Sequence, residues 1–193
     1  MRIIFASHNT NKVQEIRSLL PKTIELLSLE DIQYHHDIEE TGATLEENSK
    51  IKAATIFQIT GIPTIADDTG LEVFSLQMAP GVYSARYAGA HKSDSDNIEK
   101  LLSSLANIED RRARFRTIFS LEADWASVQF EGIVEGEIAF KKSGSNGFGY
   151  DPIFVPENLS NTFAEMSLDE KNKISHRARA LSKLVSYFQN MHK

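Results

Sequence analysis

A chain of 193 residues with 41% hydrophobic side chains is long enough for one domain, at most with a small added lobe, and its core needs no covalent staples. The absence of cysteine excludes disulfides, thiolate metal sites and a cysteine nucleophile. No apolar run approaches the roughly 20 residues of a membrane span, and a formal net charge of −6 argues against a general nucleic-acid binder, so the expectation is a cytoplasmic protein that meets any anion through a local positive site or a metal.

The N-terminus, Met1-Arg2-Ile3-Ile4-Phe5, is too short for a signal peptide and reads as part of a first strand, with residues 3–6 apolar. Residues 7–11 form a polar turn. A helix over 12–20 follows, with Asn11 and Gln14 as its N-terminal capping pair and Pro21 as its stop. Residues 24–27 are a second strand. Thr44-Leu45-Glu46-Glu47 reads as a capping box opening a long helix to Thr60, with Gly61 at its C-terminal cap and Pro63 blocking continuation. A short buried strand over 64–66 ends at Asp67-Asp68-Thr69-Gly70, and residues 71–76 continue extended.

Residues 94–105 are helical. Ala113, Phe115, Thr117, Phe119 and Leu121 alternate with more polar neighbours, the period of a strand, and residues 128–139 return as its hairpin partner across Asp124-Trp125. Arg111, Arg112, Arg114 and Arg116 at the start of that strand read as a solvated face, with Phe115 turned to the core. Ile174, Ala178, Leu181, Leu184, Val185 and Phe188 make the apolar stripe of a C-terminal helix. Early strands alternating with helices, followed by a long hairpin, indicate an α/β fold with a mixed sheet packed by helices, in one domain over 1–193.

Three segments carry chemistry. Ser7-His8-Asn9-Thr10-Asn11-Lys12 lies between a strand and a helix, where free N–H groups, short polar side chains and the Lys12 charge favour an anion, although the P-loop spacing is absent. Taken alone, such a turn is ordinary. Asp67-Asp68 follows an apolar strand directly. Neighbouring strand residues point to opposite faces, so one carboxylate can serve a site while the other holds a backbone group or a cation. Glu39-Glu40-Thr41-Gly42 supplies further carboxylate, and Lys52 is placed to reach the same site. Two carboxylates and a triphosphate would suffice for Mg²⁺, which keeps several waters.

The third segment is Gly147-Phe148-Gly149-Tyr150-Asp151-Pro152 together with Lys171 and Ser175-His176-Arg177. An aromatic face binds any base at about 1–3 kcal/mol, and choice among bases comes from hydrogen bonds to the base edge. Lys171, Ser175, His176 and Arg177 are mostly donors, which fits a 6-oxo purine and leaves the 6-amino group of adenine without an acceptor. The plainer alternative is a capped helical turn beside core aromatics. His8, His35, His36, His91 and His192 show no metal-ligand spacing and read as surface or locally bonded residues.

In order along nearly the whole chain, residues 7–12, 39–42, 65–71, 79–89, 147–154 and 175–177 resemble the inosine triphosphate pyrophosphatase family, which acts on non-canonical purine nucleoside triphosphates. The resemblance implies an elongated mixed sheet flanked by helices, two lobes with a central cleft, and a homodimer. It implies hydrolysis of ITP, dITP or XTP to the monophosphate and pyrophosphate. Asp68 matches the family's general base and metal-site aspartate, and Glu40 its metal-site glutamate. Ser7, His8, Asn9, Thr10, Asn11 and Lys12 match the triphosphate turn and Thr69 a substrate contact, and the expected mechanism has Lys12 and Lys52 stabilise the departing pyrophosphate. Phe148, Gly149, Tyr150, Asp151, Lys171, His176 and Arg177 match the base pocket. His8 stands where many members carry Gly, and Thr69 where Ser is frequent. A pyrophosphatase for modified pyrimidines and a non-catalytic nucleotide sensor are the alternatives; the donor-rich 175–177 edge disfavours the first, and Asp68, Glu40 and Lys12 disfavour the second.

Overall fold

The structure, a computed structural model, describes residues 1–191. Its elements in chain order are β1 (Arg2–Phe5), α1 (Thr10–Leu19), β2 (Glu25–Ser28), α2 (Leu45–Thr60), β3 (Thr64–Val73), β4 (Pro80–Gly81), α3 (Asp94–Ser104), β5 (Arg112–Ala123), β6 (Ala126–Ile138), β7 (Phe154–Pro156), α4 (Leu168–Asn172) and α5 (His176–Asn190). The strands form one seven-stranded sheet in the order β2-β1-β3-β5-β6-β7, with β4 added on β3. β1 pairs parallel with β2 and β3, whereas β3–β4 and β6–β7 are antiparallel, so the sheet is mixed and flanked by helices, as the sequence pattern indicates.

The chain divides into two compact units. The first comprises Met1–Asp68, Thr117–Gly132 and the segment from Arg177; the second comprises Thr69–Arg116 and Ile133–His176. β3, β5 and β6 therefore each run from one unit into the other.

In the first unit the strand period sorts the core. Ile3, Phe5 and Ile65 meet Val13 and Ile16 of α1 and Ala180, Leu181, Leu184 and Phe188 of α5. Their neighbours Ile4, Ala6 and Ala66 meet Ala53 and Ile56 of α2. In the second unit Leu71, Val73, Phe115, Phe154 and Phe163 gather with Ile98 and Leu101 of α3.

Five local expectations are corrected. The cap of α1 is Asn9, whose side chain accepts from Lys12 N at 3.2 Å, so the helix begins two residues early and Lys12 falls in its first turn. Thr44 caps α2, but Glu47 reaches Ala43 N at 2.6 Å rather than closing the box on Thr44. β3 does not stop at Ala66: it passes through Asp67-Asp68-Thr69-Gly70 to Val73. The arginine cluster is only partly solvated. Arg111 is buried and donates to the carbonyls of Leu105, Ile138 and Ala139, while Arg112 pairs with Asp110 and Arg114 with Glu72. Ile174 lies outside α5 and packs in the second unit's core, and Ala180 joins the helix stripe instead.

Candidate active site

β1 ends at Phe5, and the chain turns through Ser7–Asn9 into α1. Asn9 N–H donates to Ser7 Oγ at 3.2 Å, and the Asn9 side chain is engaged as the helix cap. His8, Asn9, Thr10 and Asn11 are exposed and Ser7 is half-buried. His8 Nε2 donates to the His36 carbonyl at 3.0 Å, and its ring lies nearly parallel to Tyr34. His35, His36 and His91 are likewise exposed, and His192 lies outside the described residues.

The continuity of β3 does what alternation requires of its two aspartates. Asp67 is fully buried. Its Oδ1 accepts from Lys12 Nζ at 2.9 Å and its Oδ2 from Arg177 Nε at 3.2 Å. The Arg177 guanidinium also donates to the buried Glu15 carboxylate, so a run of alternating charges, Lys12–Asp67–Arg177–Glu15, ties α1, β3 and α5 together. Burial opposes ionisation of Asp67, but Lys12 and Arg177 outweigh it and hold the carboxyl well below the usual carboxylate range. For Lys12 burial wins: it pushes the ammonium's pKa down, Lys52 and Arg177 add to that, and Asp67 works against it.

Asp68 turns the other way. Lys52 Nζ donates to Asp68 Oδ1 at 3.2 Å and to Glu40 Oε1 at 2.8 Å. Asn48, one turn before Lys52 on α2, donates to Asp68 Oδ2 at 3.4 Å and accepts Gly42 N–H at 2.8 Å, which holds the Glu40 loop against the helix. Burial raises the Asp68 pKa; Lys52 and Lys12 oppose this, and the negative charges of Glu40 and Asp67 add to it. Lys52, despite its burial, is raised by its two carboxylates. Two carboxylates sharing one ammonium leave a net negative charge on oxygen donors that already converge on one cationic point. Two carboxylates are a donor set that a hard divalent cation could use if waters and phosphate oxygens completed its shell; no group of three or more His, Cys, Asp or Glu that could hold a metal converges among the described residues.

The base-type residues gather in the second unit. Asp151 is buried, and its Oδ2 accepts both Phe148 N–H at 3.0 Å and Lys171 Nζ at 2.6 Å. Lys171 Nζ lies 5.0 Å from the centre of the half-buried Phe148 ring. Gly149 N–H donates to Asp94 of α3 at 2.7 Å. His176 is buried, its ring stacked on Phe115 at 4.6 Å. Of the two aromatics in the turn, Tyr150 belongs to the core: its hydroxyl donates to the Ser84 carbonyl at 2.9 Å and burial raises its pKa. Thr69 is half-buried and continues β3. The structure thus groups Lys171, Asp151 and Phe148, groups Glu40, Asp68 and Lys52, and brings Arg177 to Asp67 and Glu15.

Sequence reading missed Glu15, Asn48 and Asp94. Glu15 and Asn48 each had a signal, lying three residues after Lys12 and four before Lys52, on the same helical faces.

Residues 3–187 match the Ham1 family. The chain belongs to the Ham1 family. It is 56% identical over 187 residues to the dITP/XTP pyrophosphatase of Christiangramia forsetii, covering 97% of this chain and 98% of that one. It is 50% identical to the dITP/XTP pyrophosphatase of Flavobacterium johnsoniae, covering 96% of each. Among solved structures, the Staphylococcus aureus Ham1 protein superposes with a TM-score of 0.90 at 43% identity, covering 99% of this chain and all of that one. A HAM1 protein from Coxiella burnetii gives 0.89 at 41%, with 98% and 99% covered. The family resemblance and the mixed α/β fold stated from the sequence are borne out. No helix among the described residues of this Ham1 family member is long and apolar enough to cross a membrane.

Proposed function

We propose that this Ham1 family member hydrolyses ITP, dITP and XTP to the nucleoside monophosphate and pyrophosphate, clearing non-canonical purines from the nucleotide pool. The observation that carries the reading is Glu40 and Asp68 converging on one cationic point, beside an oppositely facing Asp67 that holds Lys12. Relatives about half identical to this chain are named for that activity.

Water attacks the α-phosphorus; the new P–O bond forms as the bond to the α–β bridging oxygen breaks, and pyrophosphate leaves with the electron pair. Asp68 takes the proton from water. Glu40 and Asp68 together titrate as a coupled set. Lys12 and Lys52 oppose the charge gathering on the leaving pyrophosphate, and Ser7, His8, Asn9, Thr10, Asn11 and Thr69 line the phosphate chain. We assign Mg²⁺ to Glu40 and Asp68, where it would neutralise phosphate charge. Phe148 stacks on the base within the turn of Gly149, Tyr150 and Asp151. Lys171, His176 and Arg177 read its 6-oxo edge, Arg177 while also holding Glu15 and Asp67. A cytoplasmic homodimer completes the proposal.

The test is pyrophosphate release from ITP, XTP, GTP, ATP and dTTP with and without Mg²⁺. Metal-dependent release from ITP and XTP, with ATP nearly inert, is expected. Binding of ITP without release would leave a sensor, and turnover of dTTP instead would overturn the base assignment.

A further inference from the structure

Lys12 occupies an unfavourable position by local rules. It sits in the first turn of α1, where the helix dipole repels a cation and where that turn holds no acidic residue to compensate. Its side chain is only 16% exposed, and Lys52 and Arg177 add repulsion. A sequence that breaks local preference in this way is held by something non-local and tends to do so at a functional site. The holder is Asp67, from a different element 55 residues away. Its two oxygens are divided between two cations, Oδ1 to Lys12 and Oδ2 to Arg177, and Glu15 braces Arg177 from α1 itself.

We propose that Asp67 is a positioning residue for the reaction: it fixes the Lys12 ammonium at the mouth of the Ser7–Lys12 turn, where it meets the phosphate chain, and contacts no substrate itself. The claim rests on the phosphate assignment above. Arg177 and Glu15 hold Asp67 in one orientation, since a carboxylate gripped at both oxygens cannot rotate away from Lys12. The adjacent Asp68 does the corresponding service for Lys52 on the opposite face of β3, so the strand's period of two places both lysines.

The test measures binding of inorganic tripolyphosphate by calorimetry to the full chain and to Asp67→Asn, Asp67→Glu, Lys12→Met and the double variant Asp67→Asn/Lys12→Met. Asp67→Asn is expected to weaken tripolyphosphate by roughly tenfold or more, the scale of one charge-assisted contact, as is Lys12→Met. The double variant is expected to bind no more weakly than Lys12→Met, because Asp67 acts through Lys12. Asp67→Glu should recover part of the loss. A folded Asp67→Asn that binds tripolyphosphate like the unsubstituted chain overturns the proposal, as does a double variant whose loss is the product of the two single losses. If Asp67→Asn does not fold, the comparison of Asp67→Glu with and without Lys12→Met makes the same decision. Failure of the unsubstituted chain to bind tripolyphosphate, with and without Mg²⁺, would instead sink the phosphate assignment and this claim with it.

Discussion

The turn that carries Phe148 is held by a single carboxylate, and Gly147→Ala attacks that hold directly. Gly147 has φ +74°, and a Cβ there would lie 2.9 Å from Asp151 Cγ and closer still to its Oδ2. The left-handed backbone alone costs an alanine about 1–2 kcal/mol. To clear the methyl group, Asp151 must yield, and its Oδ2 is the acceptor for both Phe148 N–H and Lys171 Nζ. Losing a buried ion pair outright costs roughly 3–5 kcal/mol. A partial retreat puts the sum at about 2–5 kcal/mol, or a fall in melting temperature of about 4–20 °C for a chain of this size. Gly61→Ala is the control. Gly61 has φ +64° but nothing within 4 Å of the added carbon, so it incurs only the backbone cost, about 2–8 °C. Thermal melts followed by circular dichroism, with steady-state kinetics on ITP, separate the two. Gly147→Ala should melt well below Gly61→Ala and raise KM, while Gly61→Ala leaves KM unchanged. Equal melting temperatures for the two variants, or an unaltered KM for Gly147→Ala, would refute the claim that Asp151 holds the turn.

Asp68→Asn should abolish turnover of ITP while the chain still melts cooperatively; preserved turnover would remove Asp68 from the chemistry. In the metal-free chain the acid limb of the Asp68 carboxyl titration, followed by carbon-13 NMR, should lie above the ordinary aspartate range near pH 4, because burial, Glu40 and Asp67 raise its pKa. A limb at or below that range contradicts the assignment. Asp67 has the opposite sign. Its folded pKa is depressed, so its stabilisation is fully present above the unfolded value near 4 and is lost as pH falls through the folded value. Urea titrations should therefore show stability declining steeply below about pH 4 in the unsubstituted chain and less so in Asp67→Asn. Arg177→Ala leaves Asp67 and Glu15 buried without that guanidinium, which predicts a loss of about 3–5 kcal/mol alongside any relaxed preference for ITP over ATP. A melting curve within a degree or two of the unsubstituted chain would count against the buried network.

What the sequence left unread has a common physical cause. Periodicity and punctuation located the helices, the hairpin and the Gly61 cap, because those signals are local. Asp67-Asp68-Thr69-Gly70 carries the punctuation of a turn, yet β3 runs straight through it. Two buried cations compensate the buried Asp67, one 55 and one 110 residues distant in sequence, and neither is visible from the segment itself. Gly70 in mid-strand marked the same place differently: a Cβ there would lie 2.8 Å from the Gly81 carbonyl, so the glycine serves the close approach of β4 rather than a bend. Tyr150 and Arg177 show the other limit. Each residue type fits a base pocket, and what also ties Tyr150 into the core and Arg177 to Glu15 and Asp67 is a partner 66, 162 or 110 residues away. The alternation rule nevertheless stated in advance that Asp67 and Asp68 could not share one site. That rule depends only on the strand being regular, and a regular strand is what the two distant cations make possible.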